Sequence, residues 1–237
     1  MIIFGNGFIA KNLKKLHLPN SFFIYAAGVS NSNVKQNKFY LREIRQFNNI
    51  KKKIDPKKMF VYISSLSVEN KSLKNDKYVK NKLIIENIIK KEVKNYIIIR
   101  LPQVVGKNRN KHTITNFIYN TIKEGKKFYL WKNSKRNLID IDDVSKIIKK
   151  YLLGQPKINS IINIFNPNSI TVKDLLKIFS KILSKKITLE VLKKKNKNIN
   201  LRLLKKDTFL PKKYYENINN DYYIKKILVK YYKWNYQ

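Results

Sequence analysis

The sequence contains no cysteine and only two histidines, His17 and His112, in 237 residues. The first absence excludes a disulfide framework and thiolate chemistry. The second argues against a zinc centre, because the two imidazoles stand far apart and have no acidic neighbours at ligand spacing. No apolar run approaches the length of a membrane span, and the apolar start of "MIIFGNG" is too short for a signal peptide, so a cytoplasmic protein without a membrane partner is expected. Acidic residues are also few: 15 Asp+Glu stand against 52 Lys+Arg, a net charge of +37. Such a balance often marks nucleic-acid or membrane-surface binding. Here, however, the lysines are scattered in pairs and triplets along the whole chain, and Lys, Asn, Ile and Tyr are over-used together, as A/T-rich codon usage produces. Nucleic acid is therefore not the expected partner, and the longest cluster, "KKKNKN" from Lys193 to Asn198, reads as a solvated loop. A positive field would still draw in anions such as nucleotide diphosphates.

Hydrophobic residues make up 43% of the chain, enough for a sizeable core in one domain, or one domain with a small appendage. Short apolar runs alternate with helical patterns. Met1–Phe4, Phe22–Tyr25, "MFVYISS" (Met59–Ser65) and "NYIIIRL" (Asn95–Leu101) read as buried strands. Helices are expected over about Phe8–Leu16, Phe39–Lys53 and Lys77–Val93, the last with Leu83, Ile84, Ile88 and Val93 at helical spacing. Strands alternating with helices imply a parallel sheet with right-handed crossovers. Beyond Gly106 the pattern loosens. A helix ending at Gly125, short strands in "FYLW" and "RNLIDI", an Asp-capped helix in "DDVSKIIKKYLLG", a strand in "INIFN" and a Thr171-capped helix are expected, while the Tyr- and Lys-rich tail gives no clear pattern.

Three motifs carry chemistry. "GNGFIA" is G-x-G-x-x-A between a strand and a helix: glycines allow the turn and a close approach of pyrophosphate, a small Ala10 allows tight helix–strand packing, and the helix start faces the phosphates. A plain turn fits the same residues. "YVKNK" places Tyr78 and Lys82 on one helix face, where an ammonium favours a nearby phenolate. In a chain so rich in Tyr and Lys, that spacing also arises by chance. Ser65 ends a buried strand shortly before Tyr78; a hydroxyl there points into the crevice of a parallel sheet, although Ser64 and Ser65 also fit ordinary strand-end turn chemistry.

Together, Gly5-x-Gly7-x-x-Ala10, Ser65, Tyr78-x-x-x-Lys82, "IIIRLPQVVG" and "RNLIDIDDV" stand in the order found in extended short-chain dehydrogenases/reductases, the nucleotide-sugar epimerases, dehydratases and reductases. The resemblance runs from Met1 to about Leu183. It also identifies "FFIYAAGVSN" (Phe22–Asn31): in that family a strand ending in two small residues is the fourth, lying under the cofactor. This chain resembles a member that runs from its first helix straight to the fourth strand, skipping the second and third, as in reductases of capsular-sugar synthesis. The acid that grips the adenosine ribose is then missing because its strand is missing.

The resemblance implies an α/β fold: an abbreviated Rossmann-type parallel sheet with helices on both faces and a small C-terminal substrate-binding part. Residues 1–106 with part of 136–170 would bind the dinucleotide, and 107–135 with 171–237 the substrate. Tyr78 would be the acid/base, Lys82 would favour its phenolate and hold the nicotinamide ribose, and Ser65 would hydrogen-bond the reacting sugar oxygen. Gly5, Asn6, Gly7, Phe8, Ile9, Ala26, Ala27, Gly28, Ser64, Leu101 and Pro102 would line the cofactor, with Tyr78 and Lys82. Ser67, Gln103 and Arg136 would join Ser65 on the substrate, Arg136 gripping the nucleotide diphosphate, although that arginine equally fits a surface salt bridge. Asp143 matches a structural acid. Leu66 and Ser67 stand where a 4,6-dehydratase carries Asp-Glu, which disfavours that reaction. The expected activity is NADP-dependent reduction (NAD being possible) of a nucleotide-linked keto sugar for surface polysaccharide. The alternatives are an epimerase of the same family, or a non-catalytic member that binds NADP(H) or RNA. A homodimer through about Phe39–Lys53 and Lys77–Lys94 is expected, with no metal.

Overall fold

In the computed structural model, residues 1–29, 36–193, 198–201, 204, 207–219 and 222–233 are described. Most of the lysine run read as a loop lies outside them, as do Ser30, Asn31 and Lys35. The chain divides into two compact units. The first comprises Met1–Pro102, Asp142–Ile164 and Ile199–Leu210; the second comprises Gln103–Ile141, Phe165–Asn198 and Pro211–Gln237.

The first unit is built on five parallel strands in the order β1-β2-β3-β4-β9: β1 Ile2–Phe4, β2 Phe22–Tyr25, β3 Met59–Ser65, β4 Tyr96–Leu101 and β9 Ser160–Asn163. Its helices are α1 Phe8–Leu13, α2 Asn37–Lys51, α3 Lys77–Glu92 and α5 Ile141–Leu153. β2 is buried along its whole length, as strands covered on both faces must be. β1 lies at the sheet edge, where Ile2 is exposed. In a complete dinucleotide-binding sheet the first strand is flanked on both sides. Its edge position here is the structural counterpart of the missing second and third strands. Phe23, Tyr25, Phe47, Phe60, Tyr62, Ile85, Ile89 and Ile98 form the core cluster. Tyr25 and Phe47 meet edge-to-face with centroids 5.5 Å apart, a favoured aromatic geometry.

The second unit holds β5 Gln103–Val105 paired in parallel with β8 Leu138–Asp140. It also holds β6 Phe128–Trp131 with β11 Leu189–Leu192, and β7 Lys135–Arg136 antiparallel to β10 Ile170–Thr171. Its helices are α4 Ile114–Lys123, α6 Val172–Leu183, α7 Lys212–Ile218 and α8 Tyr223–Tyr232. Thr171 caps α6 as expected, accepting from Asp174 N at 3.0 Å. Two local expectations need correction. α1 stops at Leu13 rather than Leu16, the last three residues of the expected helix forming a turn and a bend. Asp142 and Asp143 lie inside the first turn of α5 rather than capping it, where carboxylates still favour the helix dipole.

Candidate active site

The turn from β1 into α1 depends on its first glycine. Gly5 has φ +130°, and a Cβ there would lie 2.5 Å from the Ala26 carbonyl oxygen. That contact is drawn tight by the Ala26 N–H, which donates to Phe4 O at 2.8 Å. Gly7 differs: it is exposed, and a Cβ would meet nothing within 4 Å. Asn6 accepts from Lys14 Nζ at 3.2 Å, which brings one cation beside the turn. Phe8 and Ile9 are half-buried, and Ala10 is fully buried, as close helix–strand packing requires. Ala26, Ala27 and Gly28 follow β2 at the same end of the sheet, half-buried.

β3 ends with two serines facing opposite ways. Ser65 Oγ accepts from Ser67 N at 3.2 Å and caps a 3₁₀ turn over Leu66–Glu69. Its own proton is then directed elsewhere. Ser64 is buried, and its hydroxyl donates to Glu86 Oε1 at 2.6 Å. Glu86 in turn accepts from Arg100 Nε at 3.0 Å and Nη2 at 2.5 Å, and Arg100 also pairs with Glu69. This buried network anchors the turn that follows Ser65. The Ser64 side chain is committed to it, which leaves only the Ser64 backbone for the expected cofactor contact.

Tyr78 enters in the first turn of α3, whose cap is Asp76: its carboxylate accepts from Tyr78 N at 3.0 Å and Val79 N at 3.2 Å. Helical spacing brings Lys82 onto the same face, with Nζ 5.7 Å from the centre of the Tyr78 ring. α3 packs on β3 and on the turn after Ser65, so the helix that carries Tyr78 and Lys82 lies against the strand that ends in Ser65. Lys82 is only 3% exposed. Its ammonium donates to Glu43 Oε1 at 2.9 Å and to Tyr62 Oη at 3.3 Å. A Cβ on Gly28 would overlap that ammonium, so the absent side chain leaves the space Lys82 fills. Burial favours the neutral amine, but Tyr62, Glu43 and Tyr78 outweigh it and hold Lys82 well above the usual lysine range. The Tyr62 and Tyr25 phenols are pushed up, chiefly by burial. Sequence reasoning missed Glu43. The one available signal was an acid in a helix of a chain with few acids.

In the first unit, Leu101 is buried and Pro102 half-buried at the end of β4. In the second unit, Gln103 is exposed on β5, and its N–H donates to Asn137 O at 3.2 Å. Arg136 is half-buried on β7, where Nη1 donates to the Lys135 carbonyl at 2.8 Å. Burial pushes this guanidinium down, and no carboxylate among the described residues forms an ion pair with it. Among the described residues no cluster of metal-ligating side chains occurs, and no helix is long and apolar enough to cross a membrane.

The family model described as the NAD dependent epimerase/dehydratase family matches residues 22–164, more than half of the chain. The match starts at β2 and includes Ser65, Tyr78 and Lys82; Gly5–Ala10 precede it. No curated protein gives a match. Among solved structures, the chain is similar to dTDP-glucose 4,6-dehydratase from Bacillus anthracis in complex with NAD, at 17% identity and TM-score 0.60, covering 78% of this chain and 65% of that one. The chain therefore spans less than two thirds of that dehydratase's length. It is similar to RMD from Pseudomonas aeruginosa complexed with NADPH, at 14% identity and TM-score 0.68, covering 94% and 98%. It is also similar to dTDP-4-dehydrorhamnose reductase from Bacillus anthracis in complex with NADP, at 15% identity and TM-score 0.66, covering 85% and 91%. At these identities the likeness establishes the fold.

Proposed function

The chain belongs to the NAD-dependent epimerase/dehydratase family, and on that premise we propose that it reduces a nucleotide-linked keto sugar with a nicotinamide cofactor. The observation that carries this reading is the packing of the helix that carries Tyr78 and Lys82 against the strand that ends in Ser65, with the Lys82 ammonium 5.7 Å from the Tyr78 ring. The residues present fit a dinucleotide. Space beside Gly7 is open, so a pyrophosphate can approach the backbone N–H groups of Gly5–Ile9, which have no intrahelical partners. Ala26, Ala27 and Gly28 offer a surface without bulky side chains, and Leu101, Pro102 and the Ser64 backbone complete the lining.

A reduced nicotinamide, when bound, supplies hydride to the carbonyl carbon. Tyr78 delivers the proton to the carbonyl oxygen, so the ketone becomes an alcohol and the phenolate is reprotonated from solvent. Ser65 donates to the same oxygen with the proton its cap interaction leaves free. Lys82 orients the ribose and offers positive charge to the phenolate formed. Ser67 and Gln103 contact the sugar. Arg136, desolvated and without a carboxylate partner among the described residues, suits a diphosphate gripped by two parallel hydrogen bonds. Reduction is favoured over epimerisation by the edge position of β1: an epimerase must retain its cofactor through a full cycle, and a binding site without its adenosine flank releases it more readily. Elimination of the 4,6-dehydratase type lacks its acids, since Leu66 and Ser67 stand in their place. The first unit thus serves the cofactor and the second the substrate, and two copies of the chain pair through α2 and α3.

Mass spectrometry of products from a panel of nucleotide-4-ketosugars with NADPH tests this reading, a mass gain of two hydrogens being the expected result. Tyr78→Phe should lower kcat by about 100-fold or more while changing NADPH affinity little, because it removes a proton donor. Near-normal turnover in that variant would reject the assignment, and exchange of stereochemistry without net reduction would favour an epimerase.

A further inference from the structure

Glu43 has no part in the reaction described above, yet it is 2% exposed and is the acceptor at the centre of the site's polar cluster. Its carboxylate accepts from Lys82 Nζ at 2.9 Å, Asn81 Nδ2 at 2.9 Å and the Val29 N–H at 3.0 Å. Those donors come from α3 and from the segment after β2, while Glu43 itself belongs to α2. A carboxylate or an ammonium buried to this degree costs several kcal/mol unless it is paired. Here each group resolves the other's problem. The pair also has a fixed address: the ammonium occupies the space above Gly28 that a side chain would take, at the edge of β2 and within reach of the Tyr78 ring.

We propose that Glu43 is a positioning residue for Lys82, its buried carboxylate holding the ammonium over Gly28 so that it meets the cofactor ribose. The proposal rests on the reading of Tyr78 and Lys82 as a hydride-transfer pair. The groups that face the ammonium are Glu43 from α2, Tyr25 from β2, Tyr62 from β3 and Tyr78 from α3 itself. Of these, Glu43 is the one carboxylate. Without its charge, no carboxylate offsets the burial of the ammonium, so Lys82 gives up its proton more readily as pH rises. With it, the raised Lys82 value keeps the pair's contribution fully present below the ordinary lysine value near 10.4, to be lost only as pH rises through the higher folded value.

Glu43→Gln keeps the shape and removes the charge. Calorimetric titration with NADPH between pH 6.5 and 9 should show the ratio of wild-type to variant affinity near unity at the acid end and rising about tenfold toward pH 9, as Lys82 in the variant becomes neutral. A loss equal at every pH would mean that Glu43 merely clamps α2 to α3, and would overturn the proposal, as would no loss at all. Should Glu43→Gln fail to fold, thermal unfolding of Lys82→Met and of the double variant supplies the second measurement. The double variant should be clearly more stable than Lys82→Met alone, because it removes the orphaned carboxylate. A double variant that does not fold, or is no more stable than Lys82→Met, would overturn the pairing. Neither measurement needs a keto sugar. A protein that binds NADPH but reduces nothing rejects the reductase reading alone, whereas a wild-type protein that binds no nicotinamide cofactor overturns both.

Discussion

Two glycines of one turn have separate physical jobs, and substitution should separate them. Gly5 sits at φ +130° with its missing Cβ 2.5 Å from a backbone oxygen, so Gly5→Ala must strain the turn and push β2 away. A cost of about 2–4 kcal/mol follows from strain and overpacking together. Gly7 has ordinary φ and open space, so Gly7→Ala should leave the unfolding temperature nearly unchanged and weaken cofactor binding by about tenfold or more, because the added methyl lies where pyrophosphate approaches. Thermal unfolding and NADPH titration of both variants check this; a Gly7→Ala protein with normal affinity would remove the turn from the cofactor site. The motif spacing made both glycines legible in the sequence, but not their division of labour, which depends on where the Ala26 carbonyl lies. The same holds for α3. Tyr78 and Lys82 were legible because helical spacing alone puts them on one face. Glu43 was not, because its partner Lys82 is distant in sequence and only the packing of α2 on α3 brings them together. The partners of the Ser64 hydroxyl were not legible for a related reason: strand alternation sends it to the face opposite Ser65, where Glu86 and Arg100 lie.

The long elements of the first unit were legible because the buried strands β2, β3 and β4 and two amphipathic helices stand out as apolar runs and helical periods. In the second unit the short strands β6 and β8 were read from "FYLW" and "RNLIDI", but other short elements were not. β5, β10 and β11 have two to four residues, too few for a period to show. The tail hid α7 and α8 for a chemical reason. In α8, Tyr223, Ile224, Ile227, Leu228 and Tyr232 are buried, and a tyrosine can face inward while its hydroxyl finds a polar partner. Tyr223 Oη accepts from Asp140 N at 2.8 Å, and Tyr232 Oη donates to Asn116 Oδ1 at 2.5 Å, so residues that read as polar are part of the packing. α2 and α3 present the opposite case, apolar side chains left facing out. Leu41 on α2 is 51% exposed and Ile84 on α3 is 45% exposed, while the inner faces of both helices already pack on the sheet. The outer faces are therefore available to a second copy. Light scattering at micromolar concentration should show a homodimer, and Leu41→Glu with Ile84→Glu should yield a folded monomer. A wild-type monomer at every concentration would reject the pairing.

At the scale of the molecule, the net charge of +37 is set by lysines spread over the surface, and it bears on which nicotinamide cofactor is preferred. In a complete dinucleotide-binding sheet, a carboxylate at the end of the second strand grips the ribose 2′-hydroxyl and repels a 2′-phosphate. Here β1 is an edge strand, and the element beside it is β2, which ends in Ala26, Ala27 and Gly28. In the cofactor site proposed above, no carboxylate on such a strand would discriminate against a 2′-phosphate. What remains nearby is positive: Lys11, Lys14 and Lys15 at and after α1 are exposed, with Lys14 reaching Asn6 in the turn, and Lys38 is exposed at the start of α2. Lys35 adds formal charge but lies outside the described residues. Each exposed lysine contributes about 1 kcal/mol or less to holding a phosphate, because water and salt screen it. Their sum supports a preference for NADPH over NADH of about tenfold, equivalent to about 1.4 kcal/mol. Since the preference arises from exposed charges and not from a shaped pocket, it should shrink steeply between low and high salt, as the Debye length falls from about 30 Å at 0.01 M to about 3 Å at 1 M. Calorimetric titration of both cofactors at the two salt concentrations measures it directly. Tighter binding of NADH, or a preference that salt leaves untouched, would mean that a carboxylate or a fitted pocket has taken over the role of the absent strand.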